Sequence, residues 1–476
     1  MFGVPTADGS ATKKKGILLF LLSVYAMLAG VCLVFPEDGI NLFGAKLRFP
    51  SLGEVEESLF PAPGQAEQGP SPEELLALRQ AAVRQAEEER FETFMSEDPA
   101  RLHFPDSDYT LFDPFFEALD NAGKKQMRIL HYGDSQIEED RITGTIRAGL
   151  QRRFGGGGPG LLPFGRPYYT QSFGQTSSAS LYRTMAFSDG ARRSDSRYGI
   201  MGQCCRIDTS VFTTISPAKK NVDPSRHFRR FTLLAGNVRG SLNVSCNNQK
   251  YKLEPVSGAS GVGRIVISLP DSTSKLRFST WGSADIYGMQ LDDTLGVCVD
   301  NIPMRSCSGT VFTRISSAQL KDYTENGNVR LIILQFGGNS MPYRKTAKSI
   351  SEYKESIEKQ IRYFKGIAPH ASILFIGPSD MSTNIKGKMQ TYPHLPMMVD
   401  SLKAAANNCG AAYWDMYRAM GGDGSMAEWV KARPQLAGND YVHFTPKGAE
   451  AVGNMLFETL MLYYDWYRMR KYGSAK

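Results

Sequence analysis

Four residues in three short stretches have the types that catalysis by a serine nucleophile requires. Ser135 ends a Gly-Asp-Ser tripeptide and Asn339 follows a pair of glycines, while Asp440 and His443 stand three residues apart. A serine hydroxyl needs an imidazole as general base and a carboxylate that holds the imidazole in one tautomer. It also needs N–H donors directed at the oxyanion of the tetrahedral intermediate. These stretches together predict acyl-transfer chemistry, with Ser135, Asp440 and His443 as the catalytic residues.

Strands that end at Ser135 and Asn339 are predicted to bring these two residues together. Arg128–Tyr132 and Val329–Phe336 are short apolar runs, typical of strands that are covered on both faces of a sheet. A helix is predicted over Gln136–Phe154, because its isoleucines and leucine recur on one side. Strands that alternate with helices predict an α/β fold with a mostly parallel sheet, in which sites lie at the carboxyl ends of strands.

The same alternation continues to the end of the chain, but a different pattern interrupts it. Residues 166–297 contain short strand-like runs separated by Gly, Asn, Ser and Asp turns, which predict an inserted antiparallel β-sandwich. The elements predicted after this insert are helix 349–367, strand 372–376, helix 397–409, strand 411–414 and a last helix from Thr445-Pro446 to about residue 467.

Taken in this order, the motifs resemble those of the GDSL/SGNH hydrolase family. HYGDSQ matches the family's first block with Ser135 as nucleophile, and FGGNS resembles the third block with Asn339 as an oxyanion donor. DYVH resembles the fifth block, which supplies Asp440 and His443. The resemblance implies a flavodoxin-like three-layer sandwich with a parallel sheet. It covers roughly residues 125–165 and 298–467.

One block departs from the family pattern. The family's second block supplies a glycine whose N–H joins the oxyanion hole, and the matching stretch here is DNIPMRSCSG. Ser306 aligns with that glycine and Gly309 follows closely, so both are candidate oxyanion donors. A β domain between the first and second blocks is similar to bacterial peptidoglycan O-acetylesterases, as is TGTIRAGLQRRFGGGGPG. This resemblance implies an O-acetylated glycan as substrate.

The N-terminal region predicts a membrane anchor. Gly16–Phe35 contains no charge and, at about 1.5 Å per residue, is long enough to span a bilayer of about 30 Å. Lysines 13–15 precede it, so the N-terminus is expected inside and the catalytic part outside. A cleaved signal peptide is the competing interpretation. The predicted segments are a cytoplasmic tail 1–15, an anchor 16–35, a linker and helical stalk 36–124, a catalytic part 125–165, the β insert 166–297 and a second catalytic part 298–476. They predict a single-pass bacterial inner-membrane protein with a periplasmic catalytic domain.

Composition and spacing exclude several other functions. The formal charge of +7 is small for 476 residues and forms no basic stripe with aromatics, which argues against nucleic acid as a partner. Six histidines without paired metal-ligand spacing predict no metal site, and no cofactor is expected. The seven cysteines contain no CxxC pair, and the sequence leaves open whether they are free or form disulfides.

Three functions are consistent with these motifs. The first is an acetylesterase acting on a cell-envelope glycan. The second is an O-acetyltransferase that takes the acyl group from an acetyl-donor protein in the membrane and modifies an envelope polysaccharide. The third is a glycan-binding protein without catalysis, which would use the β insert.

Overall fold

The protein is described by a computed structural model in which the chain forms two compact units, Met1–Val83 and Arg84–Lys476. The structure describes residues 9–36, 40–42, 45–60, 70–165, 168–188, 190, 192–218, 225–271 and 273–473. The helices are α1 Gly9–Val34, α2 Leu52–Leu59, α3 Pro72–Glu97, α4 Asp113–Asp120, α5 Thr143–Phe154, α6 Ser317–Asn326, α7 Ala347–Ile367, α8 Leu395–Asn408, α9 Met416–Ala419, α10 Ser425–Lys431 and α11 Pro446–Tyr472. The strands are β1 Ile40–Leu42, β2 Ala45–Leu47, β3 Leu102–His103, β4 Met127–Gly133, β5 Gly160–Leu162, β6 Phe173–Ser177, β7 Tyr182–Met185, β8 Gln203–Ile207, β9 Val211–Pro217, β10 Arg230–Cys246, β11 Gln249–Leu253, β12 Gly263–Ser268, β13 Leu276–Asp292, β14 Val297–Pro303, β15 Val329–Gln335, β16 Ser372–Ile376, β17 Ser382–Ile385, β18 Lys388–Thr391 and β19 Ala412–Trp414.

The first unit contradicts the predicted anchor. α1 overlaps residues 16–35, and its side chains are described from Leu19 onward. Among the helices of the described residues, none combines the length and the apolar character needed to cross a bilayer. The prediction of a transmembrane helix was therefore wrong, and with it the prediction of a single-pass inner-membrane location.

A six-stranded sheet forms the centre of the second unit, with the order β14-β4-β15-β16-β19-β3 among the described residues. Five strands are parallel, while β3 pairs antiparallel with β19 at one edge. Every residue of β4 is buried, as expected for a strand with helices on both faces. The predicted parallel sheet is thus corrected to a mixed one. Since β3 has only two residues, it offers no periodic pattern for a sequence to reveal.

Helices cover both faces of this sheet and make three layers. Alternate residues of a strand point to opposite faces, and β4 shows the result. Leu130 and Tyr132 pack in a core with residues of α7 and α8. Ile129 packs on the other face with residues of α5 and α11.

The helix predicted over Gln136–Phe154 is shorter in the structure. α5 begins at Thr143, and Glu138–Asp140 form a 3-10 turn before it. Glu139 and Asp140 have φ of 65° and 64°, which no α-helix allows. The Asp140 carboxylate instead accepts two hydrogen bonds, at 2.6 and 2.9 Å, from the buried guanidinium of Arg147 in α5. These bonds fix the turn against the helix that follows it.

A second sheet, nine-stranded within the described residues, contains β5 to β13, and all of its pairings are antiparallel. It occupies the region predicted as the β insert, and it begins in β5, upstream of residue 166. Phe231 and Phe278 are among the residues of its own core. Leu161 and Tyr287 instead pack in the core of the six-stranded sheet, so the two sheets share apolar contacts.

All seven cysteines are free thiols in the structure, six of them buried. The alternative left open by the sequence is thereby decided in favour of thiols.

Candidate active site

Four chain segments converge on one cleft of about 520 Å³ at the carboxyl ends of β4, β14 and β15. Ser135 lies in the turn after β4, Asn339 lies just after β15, and His443 lies in the loop before α11. Ser306, which follows β14, lines the same cleft. The parallel order of the sheet explains this meeting, because adjacent parallel strands end at the same edge.

Ser135, His443 and Asp440 form a continuous hydrogen-bonded relay. The Ser135 hydroxyl lies 2.8 Å from His443 Nε2, and His443 Nδ1 lies 2.7 Å from Asp440 Oδ2. Because the Asp440 carboxylate can only accept a hydrogen bond, the neutral His443 ring carries its hydrogen on Nδ1 and leaves Nε2 free to accept from the serine. This is the arrangement in which an imidazole can act as general base toward a hydroxyl.

The loop that carries the relay is fixed by local backbone contacts. Asp440 Oδ1 accepts hydrogen bonds from the amides of Val442 and His443, each at 3.0 Å. Partial burial works to raise the pKa of Asp440, but the His443 ring and these two amides outweigh it and lower that pKa. Thr445 then caps α11 by accepting from the Gly448 amide at 3.2 Å, with Pro446 in the first turn.

The Ser135 turn depends on its two preceding residues. A Cβ atom at Gly133 would lie 3.0 Å from the Ile137 side chain, so a larger residue would crowd the turn. The buried Asp134 accepts from the Gln136 amide at 2.9 Å and from the Asn339 side-chain amide at 3.1 Å. Burial raises the pKa of Asp134 to about 6, although these two hydrogen bonds and the nearby His443 act in the opposite direction.

Two backbone N–H groups in the cleft are free to bind an oxyanion. Within the described residues, the amides of Ser135 and Ser306 donate no hydrogen bond. Ser306 has φ of 62°, a backbone conformation that glycine adopts most readily. A serine thus occupies a backbone conformation that would suit a glycine.

The other two oxyanion candidates differ. Asn339 lines the cleft, but its side-chain nitrogen donates to Asp134 at 3.1 Å and to the Cys307 carbonyl at 3.3 Å. It must exchange one of these partners before it can bind an oxyanion. The Gly309 amide donates to Cys307 Sγ at 3.3 Å, and Gly309 is not among the residues that line the cleft. Gly309 is close to the site in sequence but is not brought into it.

Arg141 and Gln136 connect the two loops that carry the serine and the histidine. Arg141 donates to the Ser135 carbonyl at 2.7 Å and to the Phe444 carbonyl at 3.2 Å. Gln136 donates to the Val442 carbonyl at 2.6 Å. The sequence offered no signal for Arg141, since its partners are main-chain oxygens that any residue supplies.

Below the cleft, His131 is fully buried and hydrogen-bonded to Gln335 at 3.0 Å and Thr143 at 2.9 Å. Burial lowers the pKa of His131 to about 4, so the ring is neutral near pH 7. In the part of the chain that the structure describes, no group of three or more His, Cys, Asp and Glu side chains is arranged to hold a metal ion.

No protein-family model matches this chain, and no curated protein does. Solved structures do resemble it. One is a peptidoglycan O-acetylesterase, with a TM-score of 0.62 and 18% identity over 76% of this chain and 99% of that one. An acetyl xylan esterase has a TM-score of 0.25 and 12% identity, covering 34% of this chain and 81% of its own. A family two carbohydrate esterase from Cellvibrio japonicus has a TM-score of 0.24 and 12% identity, covering 62% of this chain and 99% of its own. The last two scores are too low to support an argument. The first shows a shared fold, and the predicted resemblance to SGNH hydrolases is confirmed at that level: over three quarters of its length, this chain is folded like a peptidoglycan O-acetylesterase.

Proposed function

We propose that this chain is a serine acetylesterase that removes O-acetyl groups from a cell-envelope glycan such as peptidoglycan. The observation that carries the proposal is the relay from Ser135 through His443 to Asp440, with hydrogen bonds of 2.8 and 2.7 Å. The likeness to a peptidoglycan O-acetylesterase supports an acetylated glycan as the substrate.

The proposed reaction proceeds through an acyl-enzyme. Ser135 Oγ attacks the acetyl carbonyl while His443 Nε2 takes the serine proton, and Asp440 stabilises the resulting imidazolium. The intermediate collapses when the sugar oxygen leaves with the proton held by His443, which gives acetyl-Ser135 and a free hydroxyl. Water then attacks this ester, again losing a proton to His443. Acetate departs and the serine regains its proton.

The free amides of Ser135 and Ser306 are the proposed oxyanion donors, and Asn339 joins them if its amide leaves the Cys307 carbonyl. Removing one oxyanion donor costs about 10²–10³-fold in kcat in enzymes of this kind. Asp134 would keep the Asn339 amide oriented while that exchange takes place.

The surroundings of the relay suit a hydroxyl-rich substrate. The cleft is open, and Glu138, Glu139 and Arg305 line it. Arg305 and Glu138 form an ion pair at 3.5 Å, and the Tyr343 side chain is 80% exposed at the same cleft. Charged groups and an exposed ring favour a sugar, which has polar edges and an apolar face, over a long acyl chain.

The test uses the full chain with two substrates, p-nitrophenyl acetate and O-acetylated peptidoglycan. Ser135→Ala is expected to abolish acetate release from both, and wild-type Ser135 is expected to react with a fluorophosphonate probe. Ser351→Ala, an exposed serine on α7, serves as the matched control. Turnover that survives in Ser135→Ala, or a wild-type protein that releases no acetate and resists the probe, would contradict the proposal.

Hydrolysis is proposed in preference to transfer because the solved structure that shares this fold is that of an O-acetylesterase. Product analysis still distinguishes the two outcomes. Free acetate is the product expected here, whereas an acetylated glycan acceptor would indicate transfer.

A further inference from the structure

A second cavity of about 730 Å³ adjoins the catalytic cleft and is larger than it. Arg141 lines both, so the cavity begins where the Ser135 and His443 loops are joined. Nothing in the proposed reaction uses this cavity.

One face of α5 and the residues before it form the floor of the cavity. Arg141, Gly144, Thr145, Ala148 and Arg152 line it, at the three- and four-residue spacing that puts side chains on one helical face. Small side chains stand between the two arginines, so the floor is open along its length. Arg152 lies eleven positions after Arg141, so at about 1.5 Å per residue the floor is roughly 16 Å long. We call this elongated cavity the α5 groove.

The opposite wall comes from the first turns of α11, with Lys447, Glu450 and Asn454. Gln171, at the edge of the antiparallel sheet, closes one side. No aromatic residue lines the cavity among the described residues, whereas amide and hydroxyl groups are frequent. These amide and hydroxyl groups can donate hydrogen bonds to, and accept them from, the hydroxyls of a chain of sugars.

The charge of the groove is positive. Arg141, Arg147, Arg152 and Lys447 line it together with only two acids, Asp140 and Glu450. Arg147 is paired with Asp140 at 2.6 Å and Lys447 with Glu450 at 2.8 Å. Arg152 is exposed and makes no ion pair or hydrogen bond with any residue that the structure describes. Its guanidinium is thus available to an anionic group about three helical turns from Arg141.

We infer that this α5 groove binds the units of a polymeric, acidic glycan that adjoin the acetylated unit, with Arg152 pairing a carboxylate of the strand. The inference rests on the proposed function and adds a substrate class to it: long anionic strands in preference to short or neutral fragments. Arg152 is a specificity residue in this account, because it is remote from the reacting atoms.

The test measures acetate release from size-fractionated, soluble O-acetylated peptidoglycan strands, from the disaccharide unit and from p-nitrophenyl acetate. With the wild-type full chain, KM is expected to fall as the strand lengthens, with kcat nearly constant. Arg152→Glu is expected to raise KM for long strands about tenfold, since an attractive charge contact is replaced by repulsion. Arg152→Lys should recover most of the loss. Arg277→Glu, a reversal at an exposed arginine of β13 outside both cavities, is the matched control.

A binding measurement keeps the inference separate from the chemistry. In the Ser135→Ala background, long strands should bind more weakly to the Arg152→Glu protein than to the Arg277→Glu protein. Equal affinity and no length dependence would overturn the inference even if acetate is released normally. Failure of the wild type to hydrolyse p-nitrophenyl acetate would instead overturn the proposed function, while length-dependent binding would still support the groove.

Discussion

At the scale of single residues, Ser306 combines a left-handed backbone conformation with an amide that donates to no described residue. Its φ of 62° is one that glycine adopts most readily, and its amide is free to bind an oxyanion. We predict that Ser306→Gly keeps both stability and kcat, whereas Ser306→Val loses roughly 1–2 kcal/mol of unfolding free energy because a β-branched residue is strained at positive φ.

Urea unfolding and p-nitrophenyl acetate kinetics on the two Ser306 variants check this prediction. Both variants retain the backbone N–H, so a difference between them reports the backbone conformation and not the loss of a donor. If valine were as stable and as active as glycine, the left-handed conformation at this position would be refuted.

A second residue-scale prediction concerns Asp134, whose burial raises its pKa to about 6. The native carboxyl then holds its proton more tightly than the unfolded one, so its contribution to stability is present at low pH and is lost as pH rises from about 4 to 6. Raising the pKa of Asp134 from its ordinary value to about 6 corresponds to roughly 2–4 kcal/mol of unfolding free energy.

The measurement is urea unfolding of the wild type and Asp134→Asn at several pH values. We expect the stability of the wild type relative to the variant to decrease across this window and to level off above it. A difference that does not change with pH would show that Asp134 titrates normally. Asp423→Asn, an exposed carboxylate, provides the control.

The sequence predicted much of the site at this scale, because nucleophile, base and carboxylate have distinctive types and order. The relay geometry of Ser135, Asp440 and His443 agrees with that order, while their catalytic roles remain a prediction. Arg141 could not be predicted, since its partners are carbonyl oxygens. Gly309 was suggested by nearness in sequence, but its amide turns toward Cys307.

At the scale of elements, buried strands were the most predictable features. Ser372–Ile376 is a strand with the predicted bounds, and Val329–Gln335 differs by one residue. Continuous apolar runs of this length have few alternatives in an α/β chain. The turn after Ser135 was not predictable: Ile137 and Ile142 are buried as in a helix, yet the residues between them form a 3-10 turn.

A prediction at the scale of elements concerns Arg141, which connects the turn after β4 to the loop before α11. We expect Arg141→Ala to reduce kcat about 10–100-fold with little change in KM for p-nitrophenyl acetate, since an error of 1 Å in the relay is enough for such a loss. Arg141→Lys can reach only one of the carbonyls and should recover part of the rate. An increase in KM with kcat unchanged would mean that Arg141 binds substrate instead of positioning the relay.

At the scale of the whole molecule, the two sheets of the second unit are joined by more than a linker. Leu161 and Tyr287 of the antiparallel sheet pack in the core of the six-stranded one. The buried Arg128 of β4 pairs with Asp300 of β14 at 2.6 Å and also with Asp292 of β13. A sequence reveals an insert by its change of pattern, but it cannot reveal a core shared by residues more than a hundred positions apart.

The shared core predicts that both sheets unfold together. Breaking a buried ion pair costs roughly 3–5 kcal/mol. Without the Asp292 carboxylate, Arg128 and Arg230 lose a shared partner, and Arg128 keeps only Asp300. Asp292 lies in the antiparallel sheet and its partner Arg128 lies in the six-stranded sheet. We therefore expect Asp292→Asn to destabilise both sheets equally.

Two tryptophans report the sheets separately: Trp281 lies in β13 and Trp414 in β19. In variants that keep only one of the four tryptophans, either Trp281 or Trp414, fluorescence during urea unfolding should give the same midpoint for both probes, and Asp292→Asn should lower both midpoints by the same amount. Two separate midpoints, or a shift confined to Trp281, would mean that the antiparallel sheet unfolds as an independent domain. A single shared midpoint would instead be explained by Arg128 of β4, the strand before Ser135, because it pairs with Asp292 of β13. β13 belongs to the antiparallel sheet, at whose edge Gln171 closes one side of the α5 groove.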